Sequence, residues 1–122
     1  MDFSSAPFGS TGLETALISL YTHFIEPGRF GWDLLVKTYA AEPRRMLNLD
    51  LTDIKPGHRA EFLVFDPEAS TTVNRDFIQS KSTNTPFLDQ TLKGSVEKVV
   101  SGPTILLDRE QANRASLSEV SV

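Results

Sequence analysis

Few side chains in this 122-residue chain are of a kind that does chemistry, and they are sparsely placed. The two histidines, His23 and His58, lie far apart. Neither belongs to a His-x-His or His-Glu-x-x-His pattern, and no acidic cluster of ligand spacing accompanies them. His23 falls beside the apolar face of an expected helix and His58 in a turn, so both read as structural. The absence of cysteine removes thiol nucleophiles and thiolate ligands. Serines are plentiful, but none sits in a Gly-x-Ser-x-Gly elbow. Gly9-Ser10-Thr11-Gly12 lacks the lysine that completes a phosphate loop. Asp66-Pro67 reads as a turn, and Arg44-Arg45 as a solvated pair that could at most hold an anion. Residue type and spacing therefore assign no catalytic residue and no metal ligand to this chain.

The stretch from Ser4 to Phe24 has the clearest organisation. A short loop with Pro7, Gly9 and Gly12 feeds a helix start. Such a loop gathers backbone N–H groups and the positive end of a helix dipole in one place. Thr11 and Glu14 have the spacing of a capping box, in which each side chain bonds a backbone N–H near the other. Losing a cap of this kind costs about 1 kcal/mol. Leu13, Ala16, Leu17, Leu20, Tyr21 and Phe24 then recur at helical spacing and predict one wide apolar face. Pro27-Gly28 should stop this helix near Ile25.

The remaining elements follow from the same rules. A second helix is expected over 31–41, with Trp32, Leu35, Val36 and Tyr39 on one face. Pro43 suits the first turn of a short third helix through Leu47. After Asn48 the character changes. Lys55-Pro56-Gly57 signals a turn, and residues 60–66 read as a strand ended by Asp66-Pro67. Thr71-Thr72-Val73 would make a second short strand. Residues 76–90 look like a long loop, anchored by Phe77 and Phe87. Gly94 opens a third strand over 95–101, and Gly102-Pro103 turns the chain into a fourth over 104–107. From residue 108 to 122 no pattern is sustained, and a poorly ordered tail is expected. Helices first and strands later indicate an α+β arrangement or pieces of two domains.

Bulk properties narrow the function classes. The length suffices for one domain with a modest core. The net charge of −4 offers no reason to expect nucleic acid or an anionic membrane as partner. No apolar run approaches the roughly 20 residues of a membrane span. Met1-Asp2-Phe3-Ser4-Ser5 has neither the basic region nor the apolar core of a signal peptide. A cytoplasmic location is the expectation.

Several stretches, in register, carry a family resemblance. Ala6-Pro7-Phe8-Gly9, then Gly12-Leu13-Glu14-Thr15-Ala16-Leu17, resembles the segment after the last barrel strand of dihydroorotases, which are cyclic amidohydrolases. Glu42-Pro43-Arg44-Arg45-Met46-Leu47 resembles that family's Asn-Pro-Ala-Arg turn. Pro43 and Arg45 match it, while Glu42 and Arg44 depart from it. Ile54-Lys55-Pro56-Gly57 and residues 60–66 resemble the return strand of its small β-domain, with Glu61 in place of the usual Asp. Ser80-Lys81-Ser82-Thr83-Asn84-Thr85-Pro86-Phe87 resembles its Ser-Lys-x-x-Asn-(Ser/Thr)-Pro-Phe loop. Leu92-Lys93-Gly94, the run from Val96 to Val100, and Gly102 resemble its final hairpin.

The resemblance implies the last helices of a (β/α)₈ amidohydrolase barrel over residues 1–50, and strands of a small composite β-domain over 51–107. It implies an enzyme interconverting carbamoyl aspartate and dihydroorotate, with a zinc centre that activates hydroxide. The family's metal-holding motifs precede the segment that Ser4 begins, and a barrel takes about 250 residues. No zinc and no turnover are thus expected of this chain alone. One functional position falls inside: the family's Phe-Gly pair contacts substrate, which maps onto Phe8 and Gly9. The expected partners are the small-molecule substrate and the remainder of the barrel. Some dihydroorotases also pair with aspartate transcarbamoylase. Two rival readings are a related cyclic amidohydrolase, of allantoinase or dihydropyrimidinase type, and a non-catalytic interaction module.

Overall fold

The computed structural model describes residues 9–109. Helical segments occupy the first part and a three-stranded antiparallel sheet the second, so the chain is an α+β piece. The tail expected over 108–122 does not begin at 108, since Asp108 ends the last strand and Arg109 donates to the Val96 carbonyl at 2.8 Å. Residues 110–122 and the position of Phe8 lie outside the described residues.

The first helical run is α1 (Ala16–Leu20), which widens into a π-helical turn over Tyr21–Ile25. It ends where expected. Gly28 takes φ 73°, and its N–H bonds the Ile25 carbonyl at 2.8 Å while Arg29 N–H bonds that of Phe24 at 2.8 Å. A positive φ at this place is what glycine permits. The second run is α2 (Trp32–Val36), a π-helical turn over Lys37–Ala41, and α3 (Glu42–Met46). The separate third helix expected at Pro43 is therefore a continuation of the second. Both π-helical turns immediately precede a proline-bearing stretch. Glu26 N–H reaches back to Tyr21 and Glu42 N–H to Lys37, each five residues away. Proline has no N–H to donate and its ring crowds the carbonyl four residues earlier. Widening the preceding turn accommodates Pro27 and Pro43.

The sheet has three strands where four were expected. β1 (Glu61–Thr72) joins the two pieces that Asp66-Pro67 was expected to separate. Its register with β2 (Thr91–Ser101) shifts between Val64 and Phe65 and again between Asp66 and Ser70. The second irregularity takes up Pro67, which cannot donate to the ladder, and Glu68 N–H bonds the Asp66 carboxylate at 2.9 Å instead. β2 starts before Gly94 rather than after it. A turn with Gly102 at φ 58° leads to β3 (Thr104–Asp108), giving the order β1-β2-β3.

Ile18, Val73, Ile78 and Leu92 form the buried core, with Phe65, Phe77, Phe87 and Leu88 packed against it. Both anchors expected in the long loop are thus used. Tyr21, Trp32 and Phe65 add an aromatic triad with ring centroids 5.0–5.5 Å apart. The Thr22 hydroxyl accepts from Lys93 N–H at 2.9 Å and stitches the helix to β2. The buried side of the first helix is Thr15, Ile18 and Tyr21. That corrects the expected face, of which only Tyr21 is buried. Leu13 is 92% exposed and Phe24 lies at the surface. In the second run only Leu35 of the expected face is buried, leaving Val36 58% and Tyr39 53% exposed. The apolar stripes exist, but the core takes one edge of each.

Among the described glycines, Gly94 leaves the least room for a side chain. Its φ is +85°, and a Cβ built there would stand 2.1 Å from Cζ of Phe65. Gly94→Ala should lower stability by about 2 kcal/mol or more, through positive-φ strain and overpacking. Urea denaturation checks this, and Phe65→Leu in the same chain should return part of the loss.

Candidate functional site

Two loops distant in sequence meet at the start of the first helix. Residues 9–14 lie along residues 80–84, and five contacts bind them. The Asn84 side-chain amide donates to the Gly9 carbonyl at 3.1 Å. Thr11 N–H donates to the Asn84 carbonyl at 2.8 Å, with the Thr11 hydroxyl 3.4 Å from the same oxygen. Glu14 accepts from Ser80 N–H at 2.8 Å and from the Ser80 hydroxyl. This corrects the capping-box reading. Thr15 occupies the N-cap position and makes no side-chain cap bond, while Thr11 and Glu14 bond across the molecule.

The second loop can serve as a fixed partner because its ends are tied down. Asn74 opens it by accepting from Phe77 N–H at 2.9 Å. Val73 and the 89–90 turn exchange backbone bonds: Asp89 N–H to Val73 O at 2.7 Å, and Val73 N–H to Gln90 O at 2.9 Å. Phe77, Ile78 and Phe87 seat it on the core. The long loop expected over 76–90 is thus a strap, seated at one end by buried Ile78 with half-buried Phe77 and at the other by half-buried Phe87. Ser80 and Asn84 were visible as part of a motif, yet local spacing carries no sign of what they bond.

Gly9 is exposed, and a Cβ built on it would meet no heavy atom within 4 Å. Among the described residues, the Asn84 amide holds it. Phe8, the other residue expected to face a substrate, is outside the described residues. The structure therefore brings Gly9 together with Thr11, Glu14, Ser80 and Asn84.

The other candidate groups are accounted for elsewhere. His23 stacks on Phe87 with ring centroids 6.1 Å apart. His58 pairs with Asp53 at the surface, and Lys55 followed by His58 holds the Asp53 carboxyl below the usual aspartate range. Arg44 is no anion receptor: its guanidinium pairs with Glu61 and bonds the Asp50 carbonyl at 3.0 Å, linking α3 to β1. Arg59 joins the same Glu61 at 2.7 Å. Arg45 pairs with Glu42. Glu26 beside Lys93 raises the lysine above its ordinary pKa. Among the described residues no three histidine, cysteine or acidic side chains come together as a metal would require. The donor set of the described residues does not fit a zinc centre. Nor is any helix among the described residues long and apolar enough to cross a membrane.

Comparison with known proteins gives these loops a context. No protein-family model matches the chain. A dihydroorotase of Clostridium acetobutylicum is 36% identical over 107 residues, covering 88% of this chain and 25% of that protein. A dihydroorotase of Geobacter metallireducens is 36% identical over 109 residues, with coverage of 89% and 26%. The chain matches a segment of the dihydroorotases. A third, from Shouchella clausii, is 36% identical over 101 residues. The dihydroorotase-like chain spans about a quarter of the length of the curated relatives it matches.

The clasp should respond to pH through Glu14. The Ser80 hydroxyl, helped by backbone N–H groups, holds this carboxyl below the usual glutamate range. A folded-state pKa below the unfolded one stabilises above the unfolded value, and that contribution disappears as pH falls through the folded value. The Ser80 amide resonance should therefore titrate below the ordinary glutamate range and move as the clasp loosens in acid. In Glu14→Gln that titration should vanish.

Proposed function

We propose that this chain is the carboxy-terminal part of a zinc-dependent dihydroorotase, which interconverts N-carbamoyl-L-aspartate and dihydroorotate in pyrimidine biosynthesis. The observation that carries the reading is 36% identity over 107 residues to a protein of that name. On this reading residues 1–50 end the barrel and 51–107 belong to the small β-domain. In the hydrolytic direction water adds to the ring amide carbonyl, the carbon–nitrogen bond breaks, and the departing nitrogen takes a proton. The zinc centre belongs to the portion of the enzyme that this chain does not span. The segment alone is then inactive, and the whole works in the cytoplasm.

This chain's contribution is the loop at Phe8 and Gly9, set against the substrate. Lacking a side chain, Gly9 lets its backbone N–H approach a carboxylate closely. The exposed apolar stripes support a partner of matching character. Leu13 and Met46, 92% and 85% exposed, are on the surface with Val36 and Tyr39, which suits contact with the remainder of the barrel. Aspartate transcarbamoylase is a further partner on the same reading.

Assays of the purified chain for zinc and for carbamoyl-aspartate cyclisation test the division of labour. Neither metal nor turnover is expected, and stoichiometric zinc or measurable cyclisation would overturn it. In the intact enzyme Gly9→Val should raise KM about tenfold, a loss of about 1.4 kcal/mol in binding. The melting temperature should hardly move, because the added side chain meets open space. Equal losses of affinity and melting temperature would count against the role of Gly9.

A further inference from the structure

We propose that Asn84 is the positioning residue of the Gly9 loop, holding it in the place from which it meets substrate. The inference rests on the reading of Gly9 as a substrate-side residue, and adds the group that sets its location. Asn84 grips the loop at two points. Its side-chain amide donates to the Gly9 carbonyl at 3.1 Å, and its own carbonyl accepts from Thr11 N–H at 2.8 Å. Gly9 and Thr11 are two residues apart, so the pair fixes both the position and the orientation of the peptide units between them. A Cβ built on Gly9 would meet open space, so these two bonds are the hold that the described residues show on it.

Asn84 can act in this way because its own base is held. Asn84 N–H is 3.2 Å from the Ser82 hydroxyl, Ser80 is bound to Glu14, and Phe87 is packed on the core. A displacement at the core side of the strap is therefore transmitted to Gly9 through hydrogen bonds rather than through packing. The chemistry also selects the residue. An amide donates to a carbonyl, whereas an aspartate of the same shape would set a carboxylate oxygen against the carbonyl oxygen of Gly9.

Asn84→Asp is the discriminating variant, because it keeps shape and size while replacing a donor with a charged acceptor. Two measurements are made. In this chain, hydrogen exchange at Thr11 N–H reports whether the grip is lost. In the active enzyme that contains this segment, steady-state kinetics report whether Gly9 has moved from its working place. The expected result is Thr11 exchange faster by about tenfold, and a KM raised about tenfold with kcat nearly unchanged. The melting temperature should stay close to that of the parent, which separates positioning from general stability. Unchanged Thr11 exchange would overturn the grip itself. Faster exchange with unchanged KM would leave the grip standing and overturn the substrate-side role of Gly9. A fall in kcat and melting temperature together would reduce Asn84 to a structural residue and sink the proposal.

Discussion

Glu14 stands at the start of the first helix and takes two hydrogen bonds from Ser80, 66 residues away. That contact decides how the two halves of the chain meet. With Glu14 fixed on the strap, the helix must follow at one rotation, and Ile18 enters the pocket formed by Val73, Ile78 and Leu92. The charge helps because an ionised carboxylate accepts from N–H and O–H more strongly than a neutral acceptor does. Desolvation opposes the ionised form, and the Ser80 bonds outweigh it, which is why the carboxyl sits below its usual range. Thr11 and Gly9 then follow the same loop to Asn84, so the glycine loop is set by the strap and not by the helix it precedes.

The rotation of the helix has a consequence at the surface. Thr15, Ile18 and Tyr21 face inward, Ala16, Leu17 and Leu20 are half-buried, and Leu13 and Phe24 at the ends of the apolar stripe are exposed. The second helical run repeats the pattern, burying Leu35 and leaving its neighbours exposed. A three-stranded sheet offers too little surface to cover both stripes. Their apolar character suits contact with further protein, in keeping with a chain that spans about a quarter of the relatives it matches. The charged groups meanwhile serve as ties. Glu61 between Arg44 and Arg59 binds α3 to β1, and Lys93 with Glu26 binds β2 to the first helix. Ties of this exposure each contribute little to stability, so their value is in direction more than in energy.

Prolines shaped the backbone in a way that local rules only half anticipate. Pro27 ends the first helix as its sequence says, yet Pro43 does not begin a new one and Pro67 does not end a strand. In the helical run the turn ahead of Pro43 widens so that no donor is missed. In β1 the irregularity between Asp66 and Ser70 does the same for the ladder. The helical turn takes up one extra residue and β1 takes up two against β2, so each element continues past its proline. Gly94 shows the converse, since its freedom at positive φ is needed where the Phe65 ring lies over the strand.

The sequence by itself determined the class of structure, the end of the first helix at Pro27-Gly28, the hairpin at Gly102, and the anchoring of the long loop by Phe77 and Phe87. These depend on short-range causes: missing donors, permissive φ and residues that must leave water. It also held the motifs that resemble dihydroorotases, and with them the reading of Gly9 that the proposed function adopts. Tertiary structure alone decided which edge of each apolar stripe became core, because a helical pattern defines a face but not its rotation. It alone decided that Thr11 and Glu14 bond to Asn84 and Ser80 rather than to each other. Capping-box spacing allows both outcomes, and the long-range one prevails here because Phe77, Ile78 and Phe87 bring the strap within hydrogen-bonding reach.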